Sequence, residues 1–102
     1  MSIKKQTLKS KPVCKVTFGL EKKEVSKATS VSLVGNFNNW SKTSTQLTKL
    51  KSGDFKLVME LPIGQEYEFR YLINGNTWMN DTTADKYVAS GISEEQNCVI
   101  AL

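Results

Sequence analysis

Two tryptophans, Trp40 and Trp78, are the residues of this chain best suited to recognition chemistry. An indole is a large, flat, apolar surface. At the shoulder of a loop it serves either as a lid over one end of a core or as a platform for a flat ligand, such as a sugar ring or a base. Trp40 ends the run Val31-Ser32-Leu33-Val34-Gly35-Asn36-Phe37-Asn38-Asn39-Trp40. The run begins as a strand and Gly35 ends it. Asn38-Asn39 is turn chemistry, because asparagine tolerates left-handed backbone and its amide bonds to nearby backbone groups. For Trp40 alone the two readings are even. Trp78 is the second aromatic that can decide between them, provided that both rings face the same way.

Other chemistries are poorly supplied. The chain has no histidine, which excludes Ser-His and Cys-His catalysis and imidazole metal ligation. It has no glycine-rich phosphate loop, and its two cysteines alone cannot close a structural zinc site. Ten acidic residues leave a glycosidase-like carboxylate pair conceivable. Most of them fall at strand or loop positions that read as solvent-facing, however, and a chain of 102 residues seldom encloses a sugar cleft. No catalytic constellation, cofactor or metal is expected.

The elements that must carry the tryptophans are strands. Cys14, Val16, Phe18 and Leu20 share one face of a strand, and Phe55, Leu57, Met59 and Leu61 alternate with Lys56, Val58 and Glu60. Tyr67, Phe69, Tyr71 and Ile73 form the most strongly inward face, with Glu68, Arg70 and Leu72 pointing the other way. Leu47–Lys51 reads as a short or bulged strand, residues 80–95 as loop, and Cys98, Ile100 and Leu102 as the last strand. Turns fall about every ten residues, at Ser52-Gly53-Asp54, Pro62–Gln65 and Asn74-Gly75-Asn76. This spacing predicts an all-β, immunoglobulin-like antiparallel sandwich, with Phe69, Tyr71 and Met59 among its best-buried residues. A small nucleic-acid-binding barrel fits less well, because few basic residues interleave with aromatics on the outward strand positions.

Loop length at 74–76 decides where Trp78 points, since strand side chains change face at every residue. A two-residue Asn74-Gly75 turn pairs Tyr71 with Trp78 and buries the ring in the core. A three-residue loop pairs Leu72 with Trp78 and brings the ring to the outward face beside Arg70, with Asn76 taking the left-handed backbone. The three-residue loop, or a bulge of the same parity, is the expectation.

Charge divides the chain. Residues 1–27 carry eight lysines against Glu21 and Glu24, whereas residues 28–102 carry six basic and eight acidic side chains. Residues 1–11 are polar and lysine-rich without periodicity, which predicts a flexible basic tail ahead of one domain at 12–102. Such a tail touches nucleic acid or anionic membrane only weakly and in a salt-dependent way, and its commoner role is to solubilise. No specific nucleic-acid or membrane partner is expected. No apolar run is long enough to span a bilayer, and no apolar signal-peptide core follows the basic start. The cytoplasm is the default location. Cys14 and Cys98 lie near opposite ends of the chain. They form either one disulfide between terminal strands or two buried thiols, and the second is favoured in a cytosolic chain.

The run Val31–Trp40 resembles the V-x-L-x-G-x-F-N-x-W signature of the family 48 carbohydrate-binding modules, with every fixed residue present. These are early-set sandwich domains found in glycogen-branching enzymes, isoamylases and the beta subunit of AMP-activated protein kinase. The likeness continues through Leu61–Tyr71, Trp78–Asp81, Ala84–Tyr87 and Asn97–Ile100, so it covers residues 13 to 102. It implies a non-catalytic module that binds α-1,4-glucan (glycogen, starch, maltooligosaccharides). By the same resemblance Trp40 and Trp78 match the stacking tryptophans, and Arg70 stands where glycogen binders tend to carry lysine. Ile92 falls near an apolar loop residue that reaches past the sugar chain, and Gln96 and Asn97 fall at paired amides before the last strand. The chain departs from the family in having Arg at 70 and Thr82 in place of a common proline, and Ser93-Glu94-Glu95 adds negative charge that a neutral glucan should tolerate.

The physical account of such a site needs no family. Pyranose rings have an apolar face of C–H groups that an indole can cover, at roughly 25 cal/mol per Å² removed from water. Two indoles on a curved surface fit successive residues of a helical glucan, and amide and guanidinium donors bind the hydroxyls. Shallow, wet sites of this kind bind in the micromolar to millimolar range. A different class of function is a docking domain for an amylolytic enzyme or a kinase that binds no sugar, and glucan binding itself leaves room for a glycan-metabolising enzyme as partner.

Overall fold

The structure is a computed structural model that describes residues 1–91 and 95–102. Two antiparallel sheets pack face to face. One takes β1 (Ser2–Thr7), β2 (Val13–Leu20), β5 (Phe55–Pro62) and β4 (Thr48–Lys49), in that order. The other takes β3 (Val31–Gly35), β6 (Glu66–Ile73), β9 (Gln96–Ala101) and β8 (Lys86–Ala89), with β7 (Thr77–Met79) also paired to β6. Among the described residues there is no α-helix, only short 3-10 turns at Lys22–Glu24 and Asn36–Asn38. This is the immunoglobulin-like sandwich that the alternation predicts.

The core lies between the sheets. Cys14, Val16, Phe18 and Leu20 of β2 meet Tyr67, Phe69 and Tyr71 of β6, with Val31, Leu33 and Ile100 filling in from β3 and β9. Phe18 and Phe69 meet edge to face at 5.4 Å, and Phe69 meets Tyr71 likewise at 5.7 Å. Both cysteines are buried and free. Met59, expected among the best-buried residues, is only half-buried and packs against the core without being enclosed by it. The reason is β4, which pairs only with Phe55 and Lys56 and leaves the rest of that β5 edge uncovered.

Two further expectations need correction. Residues 1–11 are not simply a flexible tail: Ser2–Thr7 pairs along the whole of β2, from Ser2 opposite Gly19 to Thr7 opposite Cys14. Backbone pairing holds this edge strand, helped by Ile3 and Met1 against the core and by a Lys5–Asp85 ion pair. Five of its six side chains are exposed, so it has no hydrophobic period to detect. Likewise, Lys86–Ala89 lies inside a stretch that reads as loop, yet it pairs with β9 as an edge strand with a single half-buried side chain, Val88.

Candidate functional site

β6 organises the outward face of the second sheet. One of its edges pairs with β3 from Phe69 to Ile73. The opposite edge is shared: β9 takes Glu66–Phe69 and β7 takes Tyr71–Ile73. Arg70 falls at the gap between them. Beneath it lies an apolar floor that points away from the core, formed by Val34, Leu72 and Val99, all almost fully buried. Strand-mates on that same face cover it. Val34 pairs with Arg70, Val99 with Glu68, and Leu72 with Trp78.

The Leu72–Trp78 pairing is the register of the three-residue loop, and Ile73 pairs with Thr77 as that loop requires. Trp78 is therefore outward and 37% exposed. The left-handed residues of the loop are Asn74 (φ 51°) and Gly75 (φ 73°), not Asn76 as expected. Asn74 is held there by the turn before β3: its Oδ1 accepts from the backbone N–H of Thr29 and Ser30 at 2.7 and 3.1 Å, and its own N–H donates to the Ser30 carbonyl.

At Trp40 the local chain also decides the outcome. Asn38 closes the 3-10 turn: its Oδ1 accepts from the Gly35 N–H and its Nδ2 donates to the Leu33 carbonyl at 2.8 Å. Asn39 (φ 57°) and Trp40 (φ 58°) are then both left-handed, a conformation that costs non-glycine residues about 1–2 kcal/mol each. The Trp40 N–H donates to the Gly35 carbonyl at 2.8 Å and pins this reversal. Phe37 consequently packs against the core, edge-on to Tyr67 at 6.2 Å, while Trp40 is 39% exposed. Phe37 is the lid, and Trp40 faces solvent. Gly35 permits the crossing, because a Cβ there would lie 2.5 Å from the Glu68 carbonyl oxygen.

Both indoles line one open concavity of about 650 Å³, together with Arg70 and Asn97. The Arg70 guanidinium sits 5.3 Å from the Trp78 ring centroid. Its Nε donates to Asn80 Oδ1 at 3.0 Å and its Nη1 pairs with Glu95 at 2.7 Å, which leaves Nη2 for a ligand. Asn80 Nδ2 in turn donates to the Gln96 carbonyl at 2.9 Å, closing the gap between β7 and β9. Two flat apolar faces stand beside fixed donors and acceptors, the surface that a sugar ring with apolar faces and a hydroxyl rim requires. Residues 23–99 match the family described as the glycogen recognition site of AMP-activated protein kinase. The chain belongs to this family of glycogen-recognition modules. No curated protein matches it.

Of the six residues that the resemblance implies for this module, four line the concavity: Trp40, Arg70, Trp78 and Asn97. Gln96 does not. It shares the Cys98 side of β9 by alternation, and its contribution is the backbone carbonyl that holds Asn80. Ile92 lies outside the described residues. Sequence reasoning missed Asn36, Glu68 and Ser90, which also line the module's concavity; Glu95, read only as negative charge near the site, lines it too. Glu68 was within reach, being two residues before Arg70 on the same strand face. Asn36 opens the 3-10 turn after β3 and Ser90 directly follows β8, and neither carries a periodic signal.

Under the site, Asp81 fixes the chain that leaves β7. It is fully buried; its Oδ2 accepts from the Tyr71 hydroxyl at 2.6 Å and its Oδ1 from the Thr83 N–H at 2.7 Å. Its N–H donates to Cys98 Sγ at 3.1 Å, and the Tyr87 hydroxyl donates to its carbonyl. Burial first, then the Asp81 charge, pushes the Tyr71 phenol well above the ordinary range. Burial likewise pushes the Cys98 thiol up to about 11. These groups form a closed polar knot rather than a reactive centre. Among the described residues no cluster of His, Cys, Asp or Glu could hold a metal ion, and no helix is long and apolar enough to cross a membrane.

Proposed function

We propose that this domain is a non-catalytic module that binds α-1,4-glucan chains of the glycogen and starch type, maltooligosaccharides included, in the concavity between Trp40 and Trp78. The observation that carries this reading is the exposure of both tryptophans of the chain into one concavity, on a sheet face whose apolar floor is already covered. Each indole stacks on a glucose ring, while Arg70 Nη2 and the Asn97 amide bind hydroxyls at the edge. The two buried free thiols suit a reducing compartment, so we place the module in the cytoplasm, where a glycan-metabolising enzyme is a fitting partner.

Co-sedimentation with glycogen and with starch, using cellulose as control, tests the reading. The domain should pellet with the first two and not with cellulose. Trp40→Ala and Trp78→Ala should each lose about 1–3 kcal/mol of binding, by analogy with base–aromatic stacking, and stay folded. A wild-type domain that ignores all glucans would favour the docking-domain reading instead.

A further inference from the structure

Among the described residues that line it, the concavity contains one cation and two carboxylates, and they are not equally matched. Arg70 is taken up by Glu95, by Asn80 and by the face of Trp78. Glu68 projects from the same strand face two residues earlier, and its neighbour in the site is a neutral amide. Its Oε1 accepts from Asn97 Nδ2 at 3.2 Å, and its Oε2 has no partner among the described residues. Asn97 is itself nearly fully buried, so this contact fixes the carboxylate at the mouth of the site. The backbone is fixed as well: the Glu68 N–H donates to Asn36 Oδ1 at 3.2 Å. A half-buried carboxylate with one oxygen held and one free is a strong acceptor for sugar O–H groups and a repellent for anions.

We propose that Glu68 contacts the sugar and sets the charge specificity of the site: its free oxygen accepts from a glucose hydroxyl, and its charge rejects glucan that carries phosphate monoesters. The inference rests on glucan binding at this concavity and adds to it a ligand class, the neutral glucan, and a residue that selects it.

One maltodextrin preparation bearing phosphate monoesters, used before and after enzymatic dephosphorylation, supplies matched ligands. Titration calorimetry should show the wild-type domain binding the dephosphorylated form more tightly. Glu68→Gln keeps the bond to Asn97 but removes the charge. It should weaken binding of the neutral form about threefold to tenfold and shrink the preference for it toward unity. Glu66→Gln is the control for net charge. Glu66 lies on the same face of β6 but outside the concavity, paired with Lys86 at 2.9 Å, and its removal should leave the preference intact. If the wild type binds neither form, the glucan reading itself falls. If it binds both and Glu68→Gln discriminates as the wild type does, or if Glu66→Gln relaxes the preference equally, Glu68 is not the selecting residue.

Discussion

The two outer faces of this sandwich are built from the same kind of strand and have opposite characters. On the four-stranded sheet, Lys15 opposes Glu60, Thr17 opposes Val58, and Lys4 and Lys56 flank them. Nearly all of these side chains are exposed, and none is aromatic. On the five-stranded sheet the corresponding positions include Val34, Leu72 and Val99, which are as buried as the core although they point away from it. A sheet can leave one face to water when its residues are polar or long and charged. When three apolar residues stand on that face, a second layer must cover them, and here the layer is made from Trp78, Arg70 and their partners. The proposed glucan site lies where the fold has apolar surface to cover.

The largest effect on that contrast should come from below the second layer. Asp81→Ala leaves the buried Tyr71 hydroxyl and the Thr83 N–H without their acceptor, and should destabilise the domain by roughly 3 kcal/mol or more in urea unfolding. A variant as stable as the wild type would mean that the knot does not hold the roofed face together.

Alkaline pH probes the same region. Cys98 titrates near 11 when folded, against 9.0 ordinarily, so the unfolded chain releases its proton first. The contribution is fully present below pH 9 and is lost as the pH rises through 11, on the order of 2 kcal/mol, with Tyr71 acting in the same direction. Unfolding midpoints measured from pH 8 to 11 should therefore fall. Constant midpoints would contradict the burial of these groups.

A smaller effect is expected at the rim. Arg70→Lys retains the charge but not the planar fork that bonds Asn80 and Glu95 while stacking on Trp78. Affinity for maltoheptaose should fall by about 1 kcal/mol, with little change in stability. An unchanged affinity would reduce Arg70 to a bystander. The smallest effect belongs to the other face: Lys15→Ala and Lys56→Ala should change glucan affinity by less than about 0.5 kcal/mol, and a larger loss in calorimetry would place binding on the wrong sheet.

The legible parts of the molecule are those where side-chain period and loop length act together. The inward faces of β2 and β6 are written in their alternation, and the outward setting of Trp78 follows from a loop of three residues. β1 and β8 were hidden because edge strands need backbone partners more than apolar side chains. The division of labour between Phe37 and Trp40 was equally hidden. It is decided by two left-handed residues and by the bonds of Asn38, and nothing in the residue types says which ring turns inward. Glu68 went unread for a different reason: a charged residue on an outward strand face has a solvated role by default, and only the contact with Asn97 sets it apart.

If the two indoles form a glucan platform, the nuclear magnetic resonance signals of their Nε1–H groups report on it directly. Titrating maltoheptaose into the ¹⁵N-labelled domain should shift both indole cross-peaks in a saturable way, together with the amides of Glu68, Arg70 and Asn97, while Lys15, Thr17 and Lys56 stay in place. Indole peaks that do not move at saturating sugar, or shifts confined to the four-stranded sheet, would contradict it.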